Sequence, residues 1–419
     1  MKSRSVLTFV TKFFHALSGG VIGGKPMKRH AGGLSYSNRK RVIFRRYIAV
    51  ASLGATLGVW GLEIVEPLRV WADETKQTAV LPASGTQPST KEGSLWNPLT
   101  WDWVPSDEEI LKYRKNWNPM THGPILITGV DIQPKGQFLF QPFVFGEIGH
   151  QQFDNKLTTH RSDAPTHLRA AAPTGIFAYG ITNHAELNVT FSGIYWDSTR
   201  STSSGERVTD SVTGIGDTTI YLKYRPVVQN PDTWRPSITI YNGLALPSSQ
   251  WFGTRGIPGG FSPLGRLPAT RFGALSYTEG VMIRKNLQPF RFSSGVFYTY
   301  TNPGSTAGMN TYVGDIVNGR FIAEYIHNDQ RGLGFNLEFV TLHGLPHRLD
   351  GHDLNVKPTS FNLIGVEPVI QYKFFHDDRG ALVGAVGCLF TIAGQNNIDA
   401  IYPNISLYYY WSKGNVMMR

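Results

Sequence analysis

The chain is poor in cysteine, poor in charge and without an apolar run of the ~20 residues a spanning helix needs, and each shortage removes a class of protein. Cys388 is the one cysteine in 419 residues, so an internal disulfide is impossible and a disulfide-stapled scaffold is excluded. Charged residues are 17% of the chain and the mean hydropathy is −0.19, which excludes a helical-bundle membrane protein. The sequence lacks Gly-x-Ser-x-Gly, a Walker A loop, a Rossmann glycine set and His-Glu-x-x-His, so hydrolase, nucleotide-binding and zinc-protease readings lack their core residues. Ser276 and Ser406 fall in strand-like segments while His184, His327, His343 and His376 fall mainly at turns and loops. No adjacent Ser-His pair stands out to make a nucleophile with its base, and no enzyme is expected.

What the sequence does have is alternation. From Lys135 to Trp411 about twelve period-two segments follow one another, near 137–149, 168–181, 185–198, 215–228, 235–247, 271–285, 289–301, 315–327, 331–343, 360–375, 380–393 and 399–411. In the ninth, Leu333, Phe335, Leu337 and Phe339 share one face and Asn336 and Glu338 the other; in the third, Leu187, Val189 and Phe191 alternate with Glu186, Asn188, Thr190 and Ser192. The joints after the even-numbered segments are brief and rich in Asn, Asp and Pro, as tight turns require. Those after the odd-numbered segments are long, up to Pro247–Thr270, except the eleventh, Gly394–Ile398. Short turns on one side and long loops on the other mark an up-and-down barrel of the outer membrane. A soluble sandwich also alternates, but its strands run ~5–6 residues, whereas these exceed the ~9–11 that cross hydrocarbon at a tilt. Segments five, six and eleven alternate poorly, which leaves their register open.

The formal charge of +10 resembles a nucleic-acid signal until it is located. Residues 1–72 hold twelve Lys or Arg against Glu63 and Glu66, which is the whole excess, so no nucleic-acid partner is expected. That leader reads as an export signal: a basic n-region at 38–46, an apolar h-region at 47–62, and Val70-Trp71-Ala72 before Asp73 as a small-residue cleavage site. Cleavage after Ala72 and passage through Sec are expected; an uncleaved inner-membrane anchor is the alternative. Met27 is a possible later start. Residues 73–134 form a periplasmic linker and a Trp-rich stretch, with Ser106 and Glu109 in capping-box spacing ahead of a short helix at about 107–116. This stretch either docks against the periplasmic rim of the barrel or plugs its mouth, or else anchors at the membrane interface. Residues 412–419 form a tail.

Charged side chains on the predicted strands belong on the inner face, because lipid exposure costs ~2–4 kcal/mol for each basic group at mid-depth. This assigns Glu147, Glu186, Lys223, Arg225, Arg291, Arg320, Glu324, Glu338, Glu367 and Lys373 to the lumen, where they either fill it with ion pairs or shape a path for small-molecule solutes. His343, His347, His352 and Asp353 offer zinc- or nickel-type ligands, but a Gly/Pro-rich surface loop gathers such residues for solubility, and neither metal nor cofactor is expected.

Gly214-Ile-Gly-Asp-Thr-Thr-Ile-Tyr-Leu-Lys-Tyr-Arg225, then Pro236 and Gly243-Leu-Ala-Leu-Pro247, resembles the Gly-x-Gly-Asp…Lys-Tyr-Arg and Leu-Pro-Thr-Gly blocks of the outer-membrane transporter family named for the meta-pathway of phenol degradation. Tyr179–Asn183 and Glu367–Tyr372 are similar to further blocks, and the likeness spans about 134–411. Ser248-Ser249 replaces Thr-Gly, and the Trp-rich stretch lies outside the match. The resemblance implies a barrel that passes small, often aromatic or hydrophobic, compounds. Asn404-Ile-Ser406-Leu-Tyr-Tyr409-Tyr-Trp411 also resembles the outer-membrane assembly signal, with Ser406 in the glycine position, which implies the barrel assembly machinery as a partner. The expectation is therefore an outer-membrane, transmembrane antiparallel up-and-down β-barrel of about twelve strands over 135–411, surrounded by lipid, acting as a passive channel. A closed structural or adhesive barrel that binds through its long loops is the alternative.

Overall fold

A computed structural model describes residues 104–412 apart from 127–128, 163–165, 202–206, 247, 249–274, 307–308, 313, 347, 350–351, 354–359 and 378–379. The leader with its cleavage site, the linker as far as residue 103, most of the Pro247–Thr270 loop, His347 and residues 413–419 lie outside them.

Twelve long strands form the wall: β1 Gln137–Phe153, β2 Thr166–Gly180, β3 Ala185–Ser201, β4 Thr218–Val227, β5 Ser237–Leu246, β6 Ser276–Leu287, β7 Phe290–Thr301, β8 Ile316–Asn328, β9 Leu333–Gly344, β10 Phe361–His376, β11 Gly380–Gln395 and β12 Ile398–Ser412. Each pairs antiparallel with the next, and β12 pairs back onto β1 from Gln137↔Ser412 to Gln152↔Ile398. The protein is therefore a closed transmembrane antiparallel β-barrel of up-and-down order. Closure satisfies every wall strand along both edges, which a sheet in hydrocarbon must achieve.

The period-two pattern sorts side chains to two faces. Leu187, Phe191, Ile220, Leu222, Val281, Val296, Phe335, Leu337, Phe339, Ile370, Val386 and Phe390 point outward and are exposed, whereas their strand neighbours are buried inside. So continuous an apolar belt is stable only against lipid. Strands five and six alternate in the structure: Ser237 and Thr239 face in against Ile240 and Leu244 outside, and Met282 and Arg284 face in against Val281 and Ile283. Strand eleven reads poorly because small residues, Ala381, Gly384, Ala385 and Gly387, blur the contrast between its faces.

The third joint departs from expectation. Arg207–Ile215 is not a loop but a strand paired with the outer half of β3, from Gly193↔Ile215 to Ser201↔Arg207, and the chain breaks at Gly216-Asp217 before β4. Its residues are mostly polar and it stands beyond the apolar belt, so no apolar row announces it. The seventh and ninth joints likewise carry a small four-stranded sheet of Gly304–Thr306, Met309–Tyr312, Arg348–Leu349 and His352–Asp353. The short eleventh joint keeps the strand count: Asn396 adopts φ 47° in a tight turn, and the N–H of Asn396 donates to the Asp154 carbonyl of the first loop at 2.8 Å.

Ahead of the barrel, α1 spans Asp107–Lys115. The Ser106 hydroxyl accepts from the Glu109 N–H at 3.2 Å and the Glu109 carboxylate accepts from the Ser106 N–H at 3.0 Å, a complete capping box. Lys112 pairs with Asp232 at 3.0 Å and Arg235 with Glu109 at 2.9 Å, both partners lying in the β4–β5 turn, while Ile110 and Tyr113 pack on Val228. Burial raises the Glu109 carboxyl, but Arg235 and the Ser106 N–H outweigh it and hold it below its usual range. The helix thus docks on the short-turn rim.

Leu337→Arg, at the middle of β9, is expected to destabilise the barrel by ~2–4 kcal/mol in refolding into bilayers, because the charge enters hydrocarbon. Leu337→Phe is expected to leave stability within ~1 kcal/mol; equal tolerance of both contradicts lipid contact on this face.

Candidate functional site

Nine of the charged residues assigned to the lumen, Glu147, Glu186, Lys223, Arg225, Arg291, Arg320, Glu324, Glu338 and Glu367, are buried at 3% exposure or less on the inner wall. Lys373 is half-buried at the short-turn rim, its ammonium 3.5 Å from the Asp329 carbonyl. Barrel register makes two of the ion pairs. Glu186 lies opposite Lys223 and Glu324 opposite Arg291, and they meet at 3.0 and 2.9 Å. Glu338 lies opposite Glu367, a like-charge pair with Arg320 the nearest cation on the adjoining strand. Asn404 donates to Glu367 at 2.5 Å.

Much of this lattice is completed by the chain's own N-terminal segment, which enters the lumen. Residues 118–134, here called the strap, leave α1, climb the β9 wall as far as Leu126, and return from Gly129 to Pro134 before β1 begins. On the way up, Arg291 donates to the Pro119 carbonyl at 2.8 Å and to the Thr121 hydroxyl. The N–H of His122 donates to the Gln371 side chain at 2.8 Å, Asn336 donates to the Gly123 carbonyl at 2.9 Å, and the N–H of Ile125 donates to Glu338 at 2.9 Å. Gly123, at φ +70°, makes the bend in a conformation that side chains disfavour. On the way down, Lys223 donates to the Gly129 and Asp131 carbonyls at 3.0 and 2.7 Å, Thr239 to the Val130 carbonyl at 2.6 Å, and the N–H of Gln133 to Glu186 at 2.6 Å. The wall's polar side chains stand in for the pairing that an irregular segment lacks.

The strap has one carboxylate, and it is the focus. Asp131 accepts from Tyr113 of α1 at 2.8 Å, lies 3.4 Å from Arg225, and accepts a short bond from Arg284. Both guanidinium groups are at most 3% exposed and the carboxylate is about a third exposed. Breaking a buried ion pair costs ~3–5 kcal/mol, and the partial exposure of Asp131 puts this contact at the low end. Of this group the sequence pointed to Arg225 alone, and Asp131 and Arg284 were not among the expected lumen residues. Asp131 is the only acidic residue between Trp117 and Lys135, a signal in plain view. Arg284 sits beside Lys285 in the strand of open register, so neither could be placed inside.

The lumen is layered. The short-turn half is the charged lattice around the strap. The long-loop half is mainly apolar, with Glu147 and Arg320 buried at the same level: Leu126 at the strap's summit packs with Phe145, Leu168, Ile194, Val340, Leu342, Phe361, Leu363, Leu389 and Tyr402. Between strap, α1 and the wall, a cavity of about 330 Å³ lies at the short-turn end, lined by Arg114, Lys223, Arg225, Arg284 and Arg291 together with Tyr113, Tyr221, Tyr408 and Tyr410. Burial and the neighbouring Arg225 lower the Arg114 guanidinium to about 10. Of the proposed assembly residues, Asn404 and Ser406 face inward, the latter accepting from Gln141 at 2.9 Å. Tyr409 and Trp411 stack on each other with ring centroids 5.5 Å apart, and Trp411 stacks on Phe138 at 5.4 Å. His343 meets Asn362 at 2.6 Å, and among the described residues no group of three His, Cys, Asp or Glu is placed to hold a metal.

No protein-family model matches the chain, and no curated protein matches it. Among solved structures, an outer membrane channel from Pseudomonas putida F1 superposes with a TM-score of 0.50 at 12% identity, covering 68% of this chain and 99% of that one. The transport unit of the autotransporter AIDA-I from Escherichia coli (TM-score 0.37, 8% identity, 73% and 97% covered) and a mutant of the monoaromatic hydrocarbon channel TodX (0.35, 9%, 67% and 91%) are more distant. The first likeness shows a shared fold; the other two carry no weight.

Asp131→Asn is expected to loosen the strap by ~3 kcal/mol. Hydrogen exchange at 129–133 then quickens by about two orders of magnitude while exchange in β8 and β9 stays unchanged. Equal exchange in both proteins contradicts a strap held by this carboxylate.

Proposed function

We propose that the protein is an outer-membrane channel for passive passage of small, hydrophobic or aromatic molecules, shut by its strap and opened when the strap leaves the lumen. One observation carries the reading: the buried charges of the short-turn half are satisfied by the strap, which is no part of the wall's ladder, at least as much as by one another. Side chains alone fill the interior of a barrel of about eight strands and leave a water-filled channel at about 16–18, so in a twelve-stranded wall an inserted segment sets how much of the lumen is closed. Removing the strap leaves a charged, hydratable lumen in place of a packed core. The outer membrane channel from P. putida F1, similar in fold, supports the same reading. In this reading the leader serves Sec export, and the Tyr409–Trp411 end of β12 serves the assembly machinery.

The apolar packing in the long-loop half favours the second reading, a closed structural or adhesive barrel. Replacing residues 119–133 by a Gly/Ser linker and recording conductance in planar bilayers separates the two. A channel gives frequent, larger openings in the variant and rare, small ones in the unaltered protein. A correctly folded, heat-modifiable barrel that passes no current with or without the strap contradicts the channel and supports the closed barrel.

A further inference from the structure

The contacts of Asp131 have the form of a bound ligand's. A single carboxylate enters the lumen on an otherwise uncharged peptide and is met by two buried guanidinium groups and one phenol. Arginine pairs of this kind suit planar carboxylates. The match is incomplete. Arg225, 1% exposed, uses only Nη1 on Asp131 at 3.4 Å, and among the described residues its Nε and Nη2 have no hydrogen-bond partner; neither has Nη2 of Arg114. Buried guanidinium donators left unmet are costly, and both residues line the cavity beside Asp131.

Within that cavity cations outnumber anions. Arg114, Lys115, Lys223, Arg225, Arg284, Arg291 and Lys373 line it against Asp131 and Glu186, and Glu186 is already held by Lys223 at 3.0 Å and by the Gln133 N–H. The rest of the lining is aromatic and apolar, with Tyr221, Tyr408, Tyr410 and Leu139 among it. At about 330 Å³ the space lies at the lower end of the ~300–1,000 Å³ typical of small-ligand pockets. Basic donors at one end and rings along the side describe a compact aromatic body bearing one negative group.

From this we infer that the cavity is a binding site for small aromatic monocarboxylates, with Asp131 as its internal mimic: the solute's carboxylate replaces Asp131 at Arg225 and Arg284, and the strap is released. The inference rests on the channel reading and narrows it, naming the solute class and giving the strap a trigger. No bond is made or broken; one carboxylate exchanges for another, so little net charge changes in the buried site, whereas a neutral solute would leave the two arginines unmet once Asp131 departs. A ligand that binds more tightly once Asp131 has left the two arginines shifts the equilibrium by its differential affinity.

The test uses the full chain in detergent micelles, with benzoate as probe, benzyl alcohol as its neutral counterpart and chloride and phosphate as small inorganic anions. Equilibrium dialysis of radiolabelled benzoate is expected to show weak binding to the unaltered protein, binding at least tenfold tighter to Asp131→Asn, where the competing carboxylate is gone, and a loss of at least tenfold when Arg225→Gln is added to Asp131→Asn. Neither benzyl alcohol nor the inorganic anions displace the label at equal concentration. Saturating benzoate is expected to quicken hydrogen exchange at 129–133 in the unaltered protein, and benzyl alcohol to leave it unchanged. Heat-modifiable migration confirms that each variant is folded, and the exchange measurement on unaltered protein needs no variant. Affinity unchanged by Asp131→Asn, displacement by benzyl alcohol or by the inorganic anions, or strap exchange indifferent to benzoate overturns the inference. Because none of these readouts depends on conductance, benzoate binding in this pattern without current from any form upholds the site and removes the channel.

Discussion

A charge buried inside a closed barrel must find a partner, and that requirement organises this molecule. The wall cannot turn its ionised side chains toward lipid, so they converge on the axis, where water is scarce and unpaired charge is costly. Register answers part of the demand, setting Glu186 against Lys223 and Glu324 against Arg291. It cannot answer the rest, since Glu338 faces Glu367 and Arg225 and Arg284 lie near no acid of the wall with which they form an ion pair. The strap supplies what the wall lacks: a carboxylate for the two arginines and a backbone N–H for Glu338.

This division has a physical consequence. Partners on adjacent strands are fixed by the hydrogen-bond ladder and cannot separate without opening the sheet. Partners on the strap are fixed only by the contacts themselves, so they separate at the cost of those contacts alone. In the channel proposed here, the charged half of the lumen converts to a second arrangement by losing those contacts, while the wall stays intact. Leu126 at the strap's summit ties the apolar cluster to the strap, so the proposed withdrawal would take Leu126 out of that cluster.

The barrel was largely legible in the sequence because its two determinants are local. Alternation assigns each face of a strand, and turn chemistry separates one strand from the next. Even the helix was readable, since Ser106 and Glu109 define its start. The polar strand Arg207–Ile215 was not legible, because beyond the apolar belt neither face carries a signature. Register failed for one functional residue for a related reason: adjacent Arg284 and Lys285 are both candidates for the inside, and only the structure shows that Lys285 instead reaches the carbonyls of Asn230 and Thr233 in the turn below. A plug ahead of the barrel was one reading of the Trp-rich stretch, but the strap's course through the lumen over 118–134 was not legible. Its conformation is irregular, its bonds run to residues up to 249 positions away, and nothing in Pro119–Pro134 has a period to read. Candidate lumen residues were visible singly, but the object they share was not.

In the proposed channel, the strap's position in the lumen decides whether the barrel conducts. The most direct measurement places a cysteine at Ile125 in a Cys388→Ala background and follows its reaction with a membrane-impermeant maleimide while current is recorded from the same bilayer. The account predicts protection while the barrel is closed and modification confined to conducting periods. A thiol modified freely in the closed state, or one that stays protected while current flows, would contradict it.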